Sequence, residues 1–237
     1  MHWLFRLNKT IWGSASEVQL RTGVTLNMTF KKKYSTEQET FWAGKSGDEY
    51  CQRNCCDPHR LSAYIAFFSR VVPYTRNVKS IIEFGANVGM NLQAIRYLLP
   101  DVKLSAVEIN PKAVLALENI PEIKVYHQSV LEFKPDFKRD MSLIRGVLIH
   151  INPSKLPIIY KNLYQSTNKY ILISEYYNPD PVELTYRGHK GKLFKRDFAG
   201  EILDTFKGLR LVDYGFLYHR DNNFDHGDST WFLLEKT

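Results

Sequence analysis

From Lys79 to Tyr177 the chain alternates short apolar runs of strand length with stretches of helical spacing, and few folds accept that order. "KSIIEFG", "KLSAVEIN", "IKVYHQSV", "MSLIRGVLIHI" and "KYILISEYY" read as strands. "MNLQAIRYLLP", "PKAVLALENI" and "PSKLPIIYKNLYQST" read as helices, the first stopped by Pro100 and the second begun by Pro111. Strands separated by whole helices pair in parallel, because a parallel neighbour needs a crossover and a tight turn cannot supply one. The pattern therefore predicts an α/β fold, a doubly wound sheet with helices on both faces. Beyond Pro181 come a basic loop, a helix over "KRDFAGEILDTF", and two closing strands, "LRLVDYGFLYH" and "STWFLLEK", expected to be antiparallel.

Upstream of the sheet, Thr36 with Glu39 three residues later makes a capping box that opens a helix over "TEQETFWAGKSGDEYCQRN". "RLSAYIAFFSRVV" continues as an amphipathic helix up to Pro73. Residues 1–33 show no clear period and are expected to be an extension to one domain over 34–237, with residues of about 34–76 forming a helical lid. On that lid Trp42, Tyr50, Arg53 and Asn54 are candidates to fold over a ligand.

All three cysteines fall within "CQRNCC", so a disulfide framework is excluded and a reducing, cytoplasmic setting fits. Cys51, Cys55 and His59 are spaced four apart, but Pro58 breaks that spacing and a fourth ligand is not visible, so no metal site is expected. No apolar run reaches membrane-spanning length. Thirty-two Lys and Arg against twenty-five Asp and Glu leave +7, which favours an anionic partner. Much of that excess lies in "FKKKY" and in "RGHKGKLFKR".

In a parallel sheet, ligands sit beyond the carboxyl ends of the strands, which points to the turn "EFGANVG" after the first core strand. A dinucleotide fingerprint needs Gly-x-Gly-x-x-Gly; counted from Gly85, Asn87 and Met90 occupy the second and third glycine positions. The lysine and hydroxyl residue of a nucleotide-triphosphate loop are missing too. What remains is a glycine turn, an acid before it (Glu83), and an acid ending the next strand (Glu108), suited to both hydroxyls of a ribose. A ribose without a phosphate describes S-adenosylmethionine. Its methionyl part would cross the backbone of Gly85, Ala86, Asn87 and Gly89, with Glu83 near its cationic end and Ile109 beside Glu108.

Through "EFGANVG", "VEIN" and "RGVLIHINP" the chain resembles the class I S-adenosylmethionine-dependent methyltransferases. The resemblance implies their Rossmann-like sheet, mostly parallel with an antiparallel C-terminal strand, and places Ser129, with Gln128 and Val130, against the adenine. Arg145 is a further residue expected at the cofactor. From Tyr34 onward, "TEQETFWAGKSGDEY", "RGVLIHINPSKLP", "SEYYNPDPVELTYRGHKGKLFKRDFAGE" and "TWFLLEK" look like the pseudaminic acid biosynthesis-associated methylases, which implies a sugar or nucleotide-sugar acceptor in bacterial surface-glycan synthesis.

Methyl transfer aligns acceptor, methyl and sulfur, and needs a group to take a proton from a hydroxyl or amine acceptor. His150 and Glu175, at the ends of their strands, are the candidate bases. Tyr176 and Tyr177 are expected at the acceptor, and Arg187, His189, Lys190, Lys195 and Arg196 would hold a carboxylate or phosphate on it. "HRD" at His219 forms a third polar group that a turn explains equally well. A nucleic-acid methyltransferase is the rival enzyme reading, weakened because "RGVLIHINP" stands where an Asn-Pro-Pro-aromatic motif belongs and no cysteine lies within the sheet. A non-catalytic protein that keeps the fold is the rival from another class.

Overall fold

The computed structural model describes residues 34–54 and 57–237 and the backbone of two short strands, β1 (Val18–Gln19) and β2 (Thr25–Leu26), which pair antiparallel. The chain divides into two units, Met1–Ser35 and Thr36–Thr237. The basic run Lys31–Lys33 and the cysteines Cys55 and Cys56 lie outside the described residues.

Unit two is built on a seven-stranded sheet. Its strands are β3 (Ser80–Phe84), β4 (Lys103–Glu108), β5 (Ile123–His127), β6 (Arg139–Arg145), β7 (Thr167–Glu175), β10 (Leu209–Leu217) and β11 (Ser229–Lys236). They lie in the order β10-β11-β7-β6-β3-β4-β5. The five strands β3 to β7 are parallel, β11 is antiparallel to β7, and β10 is antiparallel to β11. The mostly parallel sheet with an antiparallel closing strand is thus the one expected. The order of winding reverses at β3, since β4 lies on one flank and β6 on the other. A crevice opens there at the carboxyl ends.

Alternation along the strands feeds two cores. Ile81, Leu143, Tyr170 and Leu172 pack with Phe67, Phe68, Leu92 and Ile95, which come from α3 (Pro58–Val71) and α4 (Met90–Leu98). Ile82, Phe84, Ile144, Ile171 and Ile173 face the other way, onto Ile159 and Leu163 of α6 (Leu156–Gln165) and Phe198 and Ile202 of α7 (Phe198–Thr205). Continuous apolar runs in β3 and β7 follow from burial on both faces. The remaining crossover helix, α5 (Pro111–Leu117), starts at an Asn110 side-chain cap that accepts from the Lys112 and Ala113 amides, with Pro111 supplying the first-turn φ.

Three local expectations change. The first predicted helix is two, α1 (Glu37–Ala43) and α2 (Lys45–Arg53), broken where Gly44 adopts an extended conformation (φ −106, ψ −153). The capping box of Thr36 and Glu39 forms. The strand predicted over "MSLIRGVLIHI" ends at Arg145, because Gly146 turns to φ 65 and Leu148–His150 closes a single 3-10 turn. His150 therefore stands beyond the strand, on that turn. The basic loop is a hairpin of β8 (Val182–Tyr186) and β9 (His189–Lys195), joined by Arg187 (φ 47) and Gly188 (φ 85). Two central residues at positive φ make the tight turn whose twist suits a hairpin; arginine at its first position hid it. Among the described residues no helix is long and apolar enough to cross a membrane.

Candidate active site

A cavity of about 260 Å³ opens at the carboxyl ends of β3, β4, β6 and β7 and is covered by α1 and α2. One end is made of main chain. Gly85 holds φ 73, and a Cβ there would stand 2.5 Å from Val147 Cγ2; Gly89 holds φ 81, and a Cβ there would strike Ile120. Neither position admits a side chain without strain. Asn87 between them also takes a left-handed conformation (φ 47), which asparagine tolerates better than most residues.

Glu108 locks this turn to the next strand. Its Oε2 accepts the Asn87 amide at 2.7 Å, and its Oε1 accepts the Ile109 and Asn110 amides at 2.8 Å each. Burial raises its pKa and the three amides pull it back. An ionised carboxylate offers about four acceptor directions. Three are taken, which leaves one, and Glu108 lines the cavity.

Ala86, Asn87, Ile109, Ser129 and Val130 all line the cavity. Ser129 is buried and its Oγ accepts the Leu131 amide at 3.1 Å. Glu83 and Gly89 do not line it. Glu83 is fully buried beneath the turn, where desolvation pushes its pKa up to about 8, against the pull of Asn91 and Arg145. It reaches the cavity through a relay: Asn91 Nδ2 donates to Glu83 Oε1 at 2.5 Å, and Arg145 Nη1 donates to Asn91 Oδ1 at 3.0 Å.

Arg145 lines the cavity with its guanidinium 4.4 Å over the Tyr64 ring, while Nη2 donates to Nδ1 of His226 at 3.1 Å. That bond makes the His226 ring neutral at Nδ1, consistent with a pKa lowered to about 4 by burial and by the adjacent guanidinium. No carboxylate among the described residues pairs with Arg145. A half-buried cation held only by neutral partners is a ready anion site.

Another part of the wall is made of side chains from remote segments. Glu175 is 3% exposed; its Oε1 accepts the Val147 and Leu148 amides at 2.9 Å each, and its Oε2 has no partner. Desolvation raises its pKa to about 7 against the pull of the Val147, Leu148 and Ile149 amides and of Arg145. His150, two residues along the same turn, donates from Nδ1 to the Lys192 carbonyl at 2.5 Å, which leaves Nε2 as an acceptor. Burial drops its pKa to about 4, so the ring is neutral at physiological pH. The ring centroids of Trp42 and Tyr186 lie 4.5 and 4.9 Å from that of His150. The indole N–H of Trp42 and Oε1 of Gln38 are buried without partners.

The cover is pinned from two sides. On one, Asp48 accepts from Asn110 Nδ2 at 2.9 Å and pairs with Lys112 at 2.8 Å, and the Cys51 thiol donates to Asn87 at 3.0 Å. A Cβ on Gly47 would strike the Trp42 carbonyl and stand 2.7 Å from Asn110 Nδ2, so only glycine allows this approach. On the other, Gln38 donates to the Gly191 carbonyl at 2.8 Å, Glu37 pairs with Lys192 at 3.1 Å, and Phe41 meets His189 edge-on at 5.0 Å.

The residues read from sequence as acceptor contacts divide. Tyr176 lines the cavity; Tyr177, Arg187, His189, Lys190, Lys195 and Arg196 do not. Arg196 is engaged by Glu201 at 2.6 Å, Lys195 lies 5.4 Å over the Tyr176 ring, and Arg187, His189 and Lys190 are exposed on the hairpin. Of the lid candidates, Trp42, Tyr50 and Asn54 line the cavity and Arg53 does not. Cys51 is buried against Asn87 and Asn110 and is no free ligand. The polar group at His219 is a turn in which Asp228 accepts from the ring and Asp221 accepts the Asn223 and Phe224 amides. Asn91, Tyr64, Tyr186 and His226 were not legible as site residues. Only Asn91 had a sequence signal, its place in the first helical turn after Gly89.

No protein-family model matches the chain, and no curated protein matches it in sequence. Solved structures match the fold. The 1,6-didemethyltoxoflavin-N1-methyltransferase of Burkholderia thailandensis, with bound 1,6-didemethyltoxoflavin and S-adenosylhomocysteine, superposes with a TM-score of 0.60 at 14% identity, covering 84% of this chain and 87% of that one. The magnesium protoporphyrin IX methyltransferase of Synechocystis PCC 6803, with bound S-adenosylhomocysteine, gives 0.61 at 13% identity over 85% of this chain and 100% of that one. A glycopeptide N-methyltransferase bound to the same product gives 0.56 at 11% identity, over 82% and 99%. The chain has the Rossmann-like fold of class I methyltransferases.

Proposed function

We propose that the protein is an S-adenosylmethionine-dependent methyltransferase whose acceptor is a sugar or nucleotide sugar, as in surface-glycan synthesis. The observation that carries the cofactor is the glycine turn clamped to Glu108, which presents backbone and one open carboxylate direction to the cavity. The residues present fit the group. Glu108 would take the ribose, exchanging an amide bond if it accepts both hydroxyls. Ile109, Ser129 and Val130 would flank the adenine. The Gly85 to Asn87 backbone would lie along the methionyl chain, and Arg145, a cation without a carboxylate partner among the described residues, would meet its carboxylate. When bound, the cofactor supplies a methyl on a cationic sulfur. The protein's own work is to align that methyl with the acceptor, exclude water with α1 and α2, and accept the acceptor's proton at Glu175 Oε2 or His150 Nε2.

Support for the acceptor is the sequence resemblance from Tyr34 onward and the basic hairpin above the cavity, where Arg187, His189, Lys190 and Lys195 are placed to attract an anionic portion of a long acceptor. Calorimetric titration with S-adenosylmethionine and S-adenosylhomocysteine tests the cofactor. Wild-type protein should bind both, Glu108→Ala should bind about 100-fold more weakly, having lost hydrogen bonds to a charged group and left three amides unpaired, and Gly85→Arg should show no binding. No binding by the wild type sinks the reading.

A further inference from the structure

The cavity is charged oppositely to the molecule. The chain carries a formal +7, yet among the described residues the charged side chains lining the cavity are three carboxylates, Glu39, Glu108 and Glu175, and one guanidinium, Arg145, with no lysine. Arg145 and Glu175 also part company across the sheet. Arg145 is in register with Ser174, so Glu175, one residue on, points from the opposite face. Arg145 accordingly packs on Tyr64 and Phe67 of α3, and Glu175 docks on the turn that carries His150. The end of the cavity near His150 thus holds an acid and aromatic rings, and the cations of the hairpin stand outside it.

We infer that this end binds an amine, received as an ammonium against the aromatic corner of Trp42, His150 and Tyr186 with Glu175 Oε2 as its partner, so that the methyl acceptor is nitrogen. The inference rests on the methyltransferase reading and narrows its substrate class. A buried carboxylate oxygen without a hydrogen bond needs a donor, and an ammonium supplies one together with the opposite charge. Aromatic faces add attraction for a cation. Ring centroids of 4.5, 4.9 and 5.9 Å make Trp42, His150 and Tyr186 one continuous wall.

Proton chemistry agrees. An alkyl hydroxyl, near the value of about 15.7 for water, is far out of reach of a His150 ring at about 4 and a Glu175 carboxyl at about 7. An ammonium near about 10 is much closer. It gives one proton to Glu175 Oε2; the freed lone pair forms the new N–C bond as the C–S bond breaks, with that bond's pair passing to sulfur. Sulfur loses its positive charge, nitrogen gains one, and a second proton then leaves nitrogen for solvent.

The test uses full-length protein saturated with S-adenosylhomocysteine and three matched pyranoses, glucosamine, glucose and glucuronate, titrated by tryptophan fluorescence and by ligand-observed NMR. Glucosamine is expected to bind at least tenfold more tightly than either of the others. Glu175→Gln should erase about 10- to 100-fold of glucosamine affinity, the worth of a hydrogen bond to a charged group, and Tyr186→Leu should weaken it less. S-adenosylhomocysteine affinity, measured in the same variants, should stay within about twofold. If wild type fails to bind S-adenosylhomocysteine, the methyltransferase reading falls. If it binds and glucosamine shows no preference, or none of the three sugars binds, the amine inference alone is overturned.

Discussion

The two ends of the cavity are built by different means. The end near Gly85 is mostly main chain drawn from one stretch of sequence, Glu83 to Asn110, where a strand, a turn, a helix and the next strand follow one another. The end near His150 is side chains from four distant segments: Trp42 on α1, His150 on a 3-10 turn, Glu175 closing β7 and Tyr186 closing β8. Main-chain recognition depends on glycines and on one acid, features that any chain using the turn must share. Side-chain recognition depends on which residues the fold brings together, and there the individual character of the protein lies.

That contrast can be broken or sharpened by changing each end separately. The largest effect is expected at the acceptor end: Glu175→Gln should lower turnover by about 10²- to 10⁴-fold, as for removal of a proton acceptor, and leave cofactor affinity nearly unchanged by calorimetry. In wild type, turnover should rise with pH through about 7, where Glu175 loses its proton; Glu175→Gln should lose that limb of the profile. Equal losses of cofactor binding and turnover would show that the two ends are not separate.

Next in size, Arg145→Met should cost about 10- to 100-fold in affinity for S-adenosylhomocysteine and much less for an analogue that lacks the carboxylate. A uniform loss for both ligands would mean that Arg145 only braces Asn91 and His226.

Smaller again, Gly47→Ala should destabilise the cover by about 1–3 kcal/mol through the forced overlap with the Trp42 carbonyl. Thermal unfolding reads this as a shift of roughly 2–4 °C per kcal/mol, and substrate protection of the α1–α2 segment in hydrogen exchange should weaken. An unchanged melting point would show that the approach of α2 to Trp42 is looser than the geometry requires.

The smallest effect belongs to Glu83. Its folded pKa of about 8 stands above the ordinary 4.5 because burial disfavours the charge. The native protein therefore keeps a proton that the unfolded chain has released between those values, and stability should fall as pH climbs through that window. Glu83→Gln, neutral throughout, should flatten the decline, measured as urea midpoints at pH 7.0 and 8.0. The expected difference is about 1 kcal/mol, the order of one pKa unit. An identical slope in both proteins would place the proton elsewhere.

Much of this molecule was legible in its sequence. Ile81 and Ile82 could be read as a strand buried on both faces, Pro111 and Asn110 as a helix start, and Gly85, Gly89 and Glu108 as a ligand turn, because each depends on neighbours a few residues away. The hairpin of β8 and β9 was not. Its turn uses Arg187 where asparagine or aspartate is the usual signal, and its basic composition suggested a solvated loop. Reading His150 as a strand end failed for a related reason: Gly146 turns the chain, and a glycine in an apolar run does not announce the sign of its φ.

By itself, then, the sequence determined the winding of the sheet and the glycine turn, since periodicity, capping and glycine conformation act over distances of one turn or one strand. Tertiary structure alone decided that Glu175 keeps an unpaired oxygen, that Arg145 has no carboxylate partner among the described residues, that Asn91, Tyr64 and His226 frame it, and that the basic residues of the hairpin stand outside the cavity while acid and aromatic groups stand within. Charge and hydrogen-bond satisfaction are properties of a place, and the residues that share this place are separated by up to 193 positions along the chain, from Thr36 to Ser229.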